Sequence, residues 1–131
     1  MPATALAALA AGTVVAWALW CSWRHLDRVT VAGASMEPTL RHGDRLVIWR
    51  SGRVRAGDIV ALDDPRDPGR TLLKRVASLQ PAGVFVLGDN PQWSTDSRHF
   101  GPVGTRSLIG KAVYRYAPLA RAGRLRAPGE P

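Results

Sequence analysis

Two side chains in unusual settings could do chemistry together. Ser35 lies in the run Ala32-Gly33-Ala34-Ser35-Met36-Glu37-Pro38-Thr39-Leu40, between small residues that permit close backbone approach and a proline that restricts the chain after it. A serine hydroxyl is a poor nucleophile until a base takes its proton. The three histidines, His25, His42 and His99, have no carboxylate at a telling spacing, and each reads first as a surface residue. Lysine is the other choice. Only Lys74 and Lys111 are lysines among eighteen basic residues, and Lys74 lies in an apolar strand pattern, Thr71 to Leu79. On a period of two, Leu72, Lys74 and Val76 share one face. Such a lysine either snorkels to water at an edge or is desolvated. Desolvation lowers an amine pKa by up to several units, which would let a neutral Lys74 accept a proton from Ser35 and return it to a leaving amine. No cluster of metal-ligand residues and no cofactor motif is visible, so the sequence predicts chemistry with neither.

A third segment adds polar groups in number. Gly88-Asp89-Asn90-Pro91-Gln92-Trp93-Ser94-Thr95-Asp96-Ser97-Arg98-His99-Phe100-Gly101 is too dense in hydrogen-bonding side chains to be mere connection.

These segments need a scaffold. From Ala3 to Trp23 there is no charged residue, enough to span a bilayer as a helix, with Trp17, Trp20 and Trp23 clustered at its far end. We read residues 1–24 as an uncleaved anchor. A cleavable signal peptide is the competing reading, but no basic residue precedes the apolar run. Val29-Thr30-Val31, then Gly43 to Ile48 and Gly57 to Leu62, read as strands, the latter two fed by Gly-Asp turns, so the region predicts an antiparallel meander. Residues 63–70, with Pro65, Pro68 and Gly69, read as a loop, and Val84 to Leu87 and Leu108 to Tyr116 as further strands. Residues 25–117 thus form one small, mainly β domain with little or no helix outside the membrane. Residues 118–131, rich in Pro, Gly and Arg, read as a disordered basic tail.

The formal net charge of +8 raises the question of nucleic acid, but sixteen of the eighteen basic residues are arginines scattered along the chain, without aromatic-basic interleaving. A solvated basic surface is the simpler account. The single cysteine, Cys21, excludes an internal disulfide.

Over roughly residues 29 to 117 the chain resembles the type I signal peptidases that use a serine-lysine dyad. Ser35-Met36-Glu37-Pro38-Thr39-Leu40 resembles the nucleophile box, Leu73-Lys74-Arg75-Val76 the lysine box, and Gly88-Asp89-Asn90 with Ser94-Thr95-Asp96-Ser97-Arg98 and Gly101 the third. The resemblance implies a small antiparallel β-domain of the signal-peptidase catalytic core type, with Ser35 as nucleophile, Lys74 as general base and Ser94 orienting the amine. It also implies a structural clamp in which Asp96 pairs with Arg98 and with Arg75. Thirteen residues separate Lys74 from Gly88, too few for the large inserted β-domain of bacterial housekeeping enzymes. In this the chain is similar to the compact mitochondrial inner-membrane peptidases and the proteases that mature nickel superoxide dismutase. Where some members carry a hydroxyl two residues before the nucleophile, this chain has Gly33, so the oxyanion hole is expected to rest on backbone N–H, chiefly that of Ser35. The usual Gly-rich continuation of the lysine box is replaced by Ala77-Ser78-Leu79-Gln80-Pro81.

The implied substrates are preproteins with small residues before the cleaved bond, bound as an extended strand beside the segments leading into Ser35 and Lys74. The implied site is the plasma membrane, single-pass, with the catalytic domain on the extracytoplasmic side. Arg24 and Arg28 pull weakly towards the opposite orientation. The alternatives are a maturation protease dedicated to one enzyme precursor, a self-cleaving repressor peptidase, and an inactive relative that only binds preproteins.

Overall fold

The computed structural model describes residues 2–50 and 52–126. Helix α1 (Pro2–Trp23) follows from a run of alanine and leucine, good helix formers, with its proline at the first turn where no backbone donor is lost. Its span Ala3–Trp23 has mean hydropathy 1.7 and none of it is buried against the protein. An all-round apolar helix left unburied by the rest of the protein suits lipid. At its end the Arg24 guanidinium lies 4.6 Å from the Trp20 ring centroid.

The rest is antiparallel sheet: β1 (Leu26–Thr30), β2 (Arg45–Trp49), β3 (Ile59–Asp64), β4 (Asp67–Gln80), β5 (Gly83–Leu87), β6 (Leu108–Ala117) and β7 (Gly123–Arg124). The order is β1-β2-β6-β3-β4-β5, with β7 added to β6. The expected meander is therefore interrupted. β6 enters between β2 and β3, pairing Ile48 with Ala112 on one side and Val60 with Lys111 on the other. Local turn chemistry announces each strand, but cannot show that a strand some fifty residues later will separate two neighbours.

The central strands are buried on both faces. Ile59 and Ala61 join Val31, Met36, Leu40, Leu46, Ile48, Leu73 and Ala112 in one core. Val60 and Leu62 join Leu72, Val76, Val84, Val86 and Val103 in the other. Ser35 belongs to the segment that covers the first core through Met36 and Leu40, whereas Lys74 lies on the strand face of the second.

Two further expectations are corrected. Residues 63–70 form a two-residue hairpin rather than a loop, since Asp64 pairs with Asp67 and β4 runs through Pro68 and Gly69. The expectation of little or no helix outside the N-terminal span holds: among the described residues there is beyond α1 a four-residue helix, α2 (Ser97–Phe100), capped by the Asp96 carboxylate, besides three 3-10 turns. The tail is ordered as far as it is described: Gly123 and Arg124 pair with Arg115 and Tyr114, and Leu125 donates to the Val113 carbonyl. What holds it is charge. Asp44, 2% exposed, takes ion pairs from both Arg115 and Arg121. Compositional bias towards Pro, Gly and Arg signals disorder only when no buried carboxylate waits for the arginines. Residues 127–131 lie outside the described residues.

The same contact gives a prediction. Arg115 of β6 donates both to the Thr39 carbonyl at 3.0 Å and to the Arg121 carbonyl at 2.6 Å, so it ties the tail to the Ser35 segment. Arg121→Ala should lower stability by about 1–3 kcal/mol, read as a fall in the urea midpoint. An unchanged midpoint would mean that the tail merely rests on the sheet.

Candidate active site

Ser35 and Lys74 line one cleft. Its walls are Val29 to Met36 on one side and Arg70 to Lys74 on the other, with Arg66, Trp93 and Thr95 at the margins. Both walls offer free backbone. β1 pairs with β2 alone, and β4 pairs with β5 only from Arg75 onward, so one edge of β4 before Lys74 is left open to the cleft. None of the three histidines lines this cleft. His25 packs near Trp49, His42 accepts the Gly33 N–H, and His99 Nδ1 accepts the Asp96 N–H as part of the α2 cap.

Lys74 is 2% exposed. Of the two readings its apolar strand face allowed, desolvation is the one the fold realises. Its cross-strand neighbour is Val60, and Leu72 and Val76 flank it along β4. Burial lowers its pKa below the usual lysine value, and the Arg66 and Arg70 guanidiniums push the same way. The Asp96 carboxylate opposes them in part.

A short relay fixes the amine. Lys74 Nζ donates to Ser94 Oγ at 3.1 Å, and Ser94 Oγ donates to Asp96 Oδ2 at 2.8 Å. Asp96, fully buried, also receives the Gly88 N–H at 2.9 Å, the Arg98 guanidinium at 2.9 and 3.0 Å, and the Arg98 N–H. Burial alone would raise its pKa. Arg98, the Gly88 amide and Ser94 outweigh that and hold the carboxyl well below the usual carboxylate range. An ionised Asp96 can only accept, so it claims the single Ser94 proton and leaves a Ser94 lone pair for Lys74. The amine's bond runs to Ser94 rather than Ser35, so a neutral Lys74 keeps its own lone pair uncommitted in the cleft.

The clamp differs from expectation at one residue. Asp96 does pair with Arg98, but Arg75 is bound bidentately by Asp89, at 2.8 and 2.7 Å, and donates to the Gly57 carbonyl. Register explains the exchange. Arg75 stands opposite Leu87 at the end of β5, close to where Asp89 follows, and Asp96 is already saturated.

Asp89 and Asn90 are the residues whose roles the sequence did not assign. Asp89 accepts the Thr39 hydroxyl at 2.7 Å while holding Arg75, tying the Ser35 segment to the Lys74 strand. These partners hold its pKa below the usual value despite burial. Asn90 receives nothing from the nucleophile segment but gives twice, its backbone N–H to Ser35 O at 2.9 Å and its amide to Ala34 O at 3.0 Å. The available signal was that a single polar segment held two aspartates, either of which could reach Arg75 of β4.

Gly88 is required by space. A Cβ there would lie 2.1 Å from Ser94 Oγ and 2.7 Å from Ser35 O. Gly88→Ala must therefore push the Ser94 and Ser35 segments apart, and should cost about 1–3 kcal/mol of stability along with most activity. Wild-type melting and turnover in this variant would contradict the packing described.

Comparison with known proteins agrees with this architecture. The family model described as "Signal peptidase, peptidase S26" matches residues 3–84 and 78–117, and the chain belongs to that family. Among its curated relatives is the mitochondrial ATP-independent inner membrane protease subunit 1a of Arabidopsis thaliana, 37% identical over 123 residues, which span 73% of either chain. Mitochondrial inner membrane protease subunit 1 of Homo sapiens is 32% identical over 132 residues, 82% of this chain and 80% of the relative. Subunit 2 of Schizosaccharomyces pombe is 31% identical over 121 residues, 73% and 67% respectively. The protein is thus a peptidase-family member with a helix able to cross a membrane. The relatives' names place them in the mitochondrial inner membrane and lend no support to the plasma membrane in particular.

Proposed function

We propose that this protein is a membrane-bound serine endopeptidase that removes N-terminal signal or leader peptides after small residues. The observation that carries the reading is the buried Lys74 amine, fixed by Ser94 and sharing a cleft with Ser35.

In this mechanism neutral Lys74 takes the Ser35 proton as Ser35 Oγ attacks the scissile carbonyl carbon. Lys74 then gives that proton to the departing amine nitrogen as the carbon–nitrogen bond breaks, leaving an ester on Ser35. Water, losing its proton to Lys74, attacks the ester, and the proton returns to Ser35 as the acid leaves. The oxyanion is met by backbone donors, chiefly the Ser35 N–H, because the Gly33 N–H is engaged by His42. The substrate adds as an extended strand between the two free edges. Val31, Met36 and Leu72 give the cleft an apolar lining that suits small apolar side chains before the cleaved bond. The anchor holds the cleft at the bilayer surface, on the extracytoplasmic side where leaders emerge. No cofactor takes part.

Arg24 and Arg28 favour the reverse orientation, and with it a maturation protease dedicated to one precursor. Protection of a C-terminal tag from external protease in intact cells or organelles, lost on lysis, would select that arrangement. The activity itself is tested with the purified full chain and a precursor containing Ala-x-Ala. The expected product begins just after that motif, and failure to cleave any such precursor would leave only a preprotein-binding role.

A further inference from the structure

His42 touches the nucleophile segment two residues before Ser35, from a turn that takes no direct part in the mechanism above. Where β1 ends, Val31 makes two backbone bonds to the following turn: Gly43 N–H to Val31 O and Val31 N–H to Asp44 O, each 2.8 Å. Beyond Val31 no strand neighbour is left for the chain. The His42 side chain takes over, its Nδ1 accepting the Gly33 N–H at 3.1 Å. Gly33 has φ of +82°, a conformation that favours glycine and that needs its peptide units held in place. Two residues later comes Ser35, whose N–H is the main oxyanion donor in the proposed mechanism.

We infer that His42 is a positioning residue for the oxyanion donor: its neutral imidazole, protonated on Nε2, fixes the Gly33 peptide and thereby the direction of the Ser35 N–H. The inference rests on the serine-lysine reading. It also assigns the tautomer, because an Nδ1 that accepts cannot carry the proton.

The test pairs kinetics with a direct view of Gly33, using the full chain in detergent micelles. His42→Ala should lower kcat about three- to tenfold, as loss of one hydrogen bond near the reacting atoms does, with KM changed less than about twofold. His42→Asn, whose side-chain oxygen can accept at nearly the Nδ1 position, should recover most of the loss. In ¹⁵N spectra the Gly33 amide should shift in His42→Ala and stay near its wild-type position in His42→Asn. Undiminished kcat in His42→Ala, equal losses in both variants, or a Gly33 amide that does not move in His42→Ala would each overturn the inference. If His42→Ala fails to fold, His42→Asn decides, since a kcat and a Gly33 amide both far from wild type in that variant would overturn it. Persistent cleavage by Ser35→Ala would instead sink the dyad reading, and the Gly33 amide shifts would still report on the contact.

Discussion

Ser35→Ala and Lys74→Ala should each reduce cleavage of an Ala-x-Ala precursor on the order of 10⁴-fold or more, and the double variant should be scarcely worse than either. Non-additivity is expected because nucleophile and base act as a unit, and loss of one leaves the other with nothing to do. The residual rate would come from substrate binding and the backbone oxyanion donor. Stability should respond differently in the two. Ser35 sits at the cleft surface, so its alanine variant should melt like wild type. Lys74 is buried in an apolar setting, and removing its amine removes a desolvated polar group, so Lys74→Ala should unfold no more readily than its lost packing requires. Lys74→Arg should not rescue, because a guanidinium stays charged. Product analysis by mass spectrometry with purified variants settles the matter. If both single variants cleave at the wild-type rate, another pair carries the reaction.

The second large effect belongs to Asp96, although it touches no substrate. Removing its carboxylate orphans the Gly88 N–H and the Ser94 hydroxyl and releases Arg98 from its ion pair. Asp96→Ala should lose about 2–4 kcal/mol of stability. Asp96→Asn is the sharper variant. An asparagine amide can donate to Ser94, which frees the Ser94 proton to point at Lys74 and occupy the lone pair needed for Ser35. Turnover should then fall about 10²-fold with a smaller change in melting temperature. A fall in turnover no larger than the fall in stability would place Asp96 outside the relay. The sign of the pH dependence follows from the direction of its shift. Its folded pKa lies below the ordinary 3.8, so its contribution is present in full above that value and is lost as pH falls further towards the folded value. Asp89 adds to this in the same direction. Acid unfolding should be blunted in Asp96→Asn.

Lys74 shows how sequence and fold divide the work. The period of two put it between Leu72 and Val76, but the same pattern fits a lysine at a sheet edge with its amine in water. Burial was decided by β3 on one side and by the Gly88–Phe100 segment above, both placed by long-range pairing. The apolar helix α1 was legible because the 21 residues Ala3–Trp23 carry no charge, and the strands because glycine-aspartate turns and β-branched runs declare themselves locally. The position of β6 was not, since sheet order depends on contacts between residues far apart in sequence. Ser94 and Asp96 were legible through their resemblance to a known box. Asp89 was not, because choosing between two aspartates for Arg75 needs the β4–β5 register. The tail failed for a simpler reason: composition cannot reveal a buried Asp44 that Arg121 will reach.

The central claim is that Lys74 acts as a neutral amine at ordinary pH, and the pH dependence of kcat/KM for precursor cleavage tests it most directly, since that quantity reports the ionisation of the free enzyme. Burial lowers the Lys74 pKa from the reference value of 10.5. Because the neutral form is the active one, activity should rise with pH and reach its plateau well below 10.5. A profile that climbs only around 10.5 would contradict the account, because it would mean that the amine enters the reaction no less solvated than any lysine at the surface.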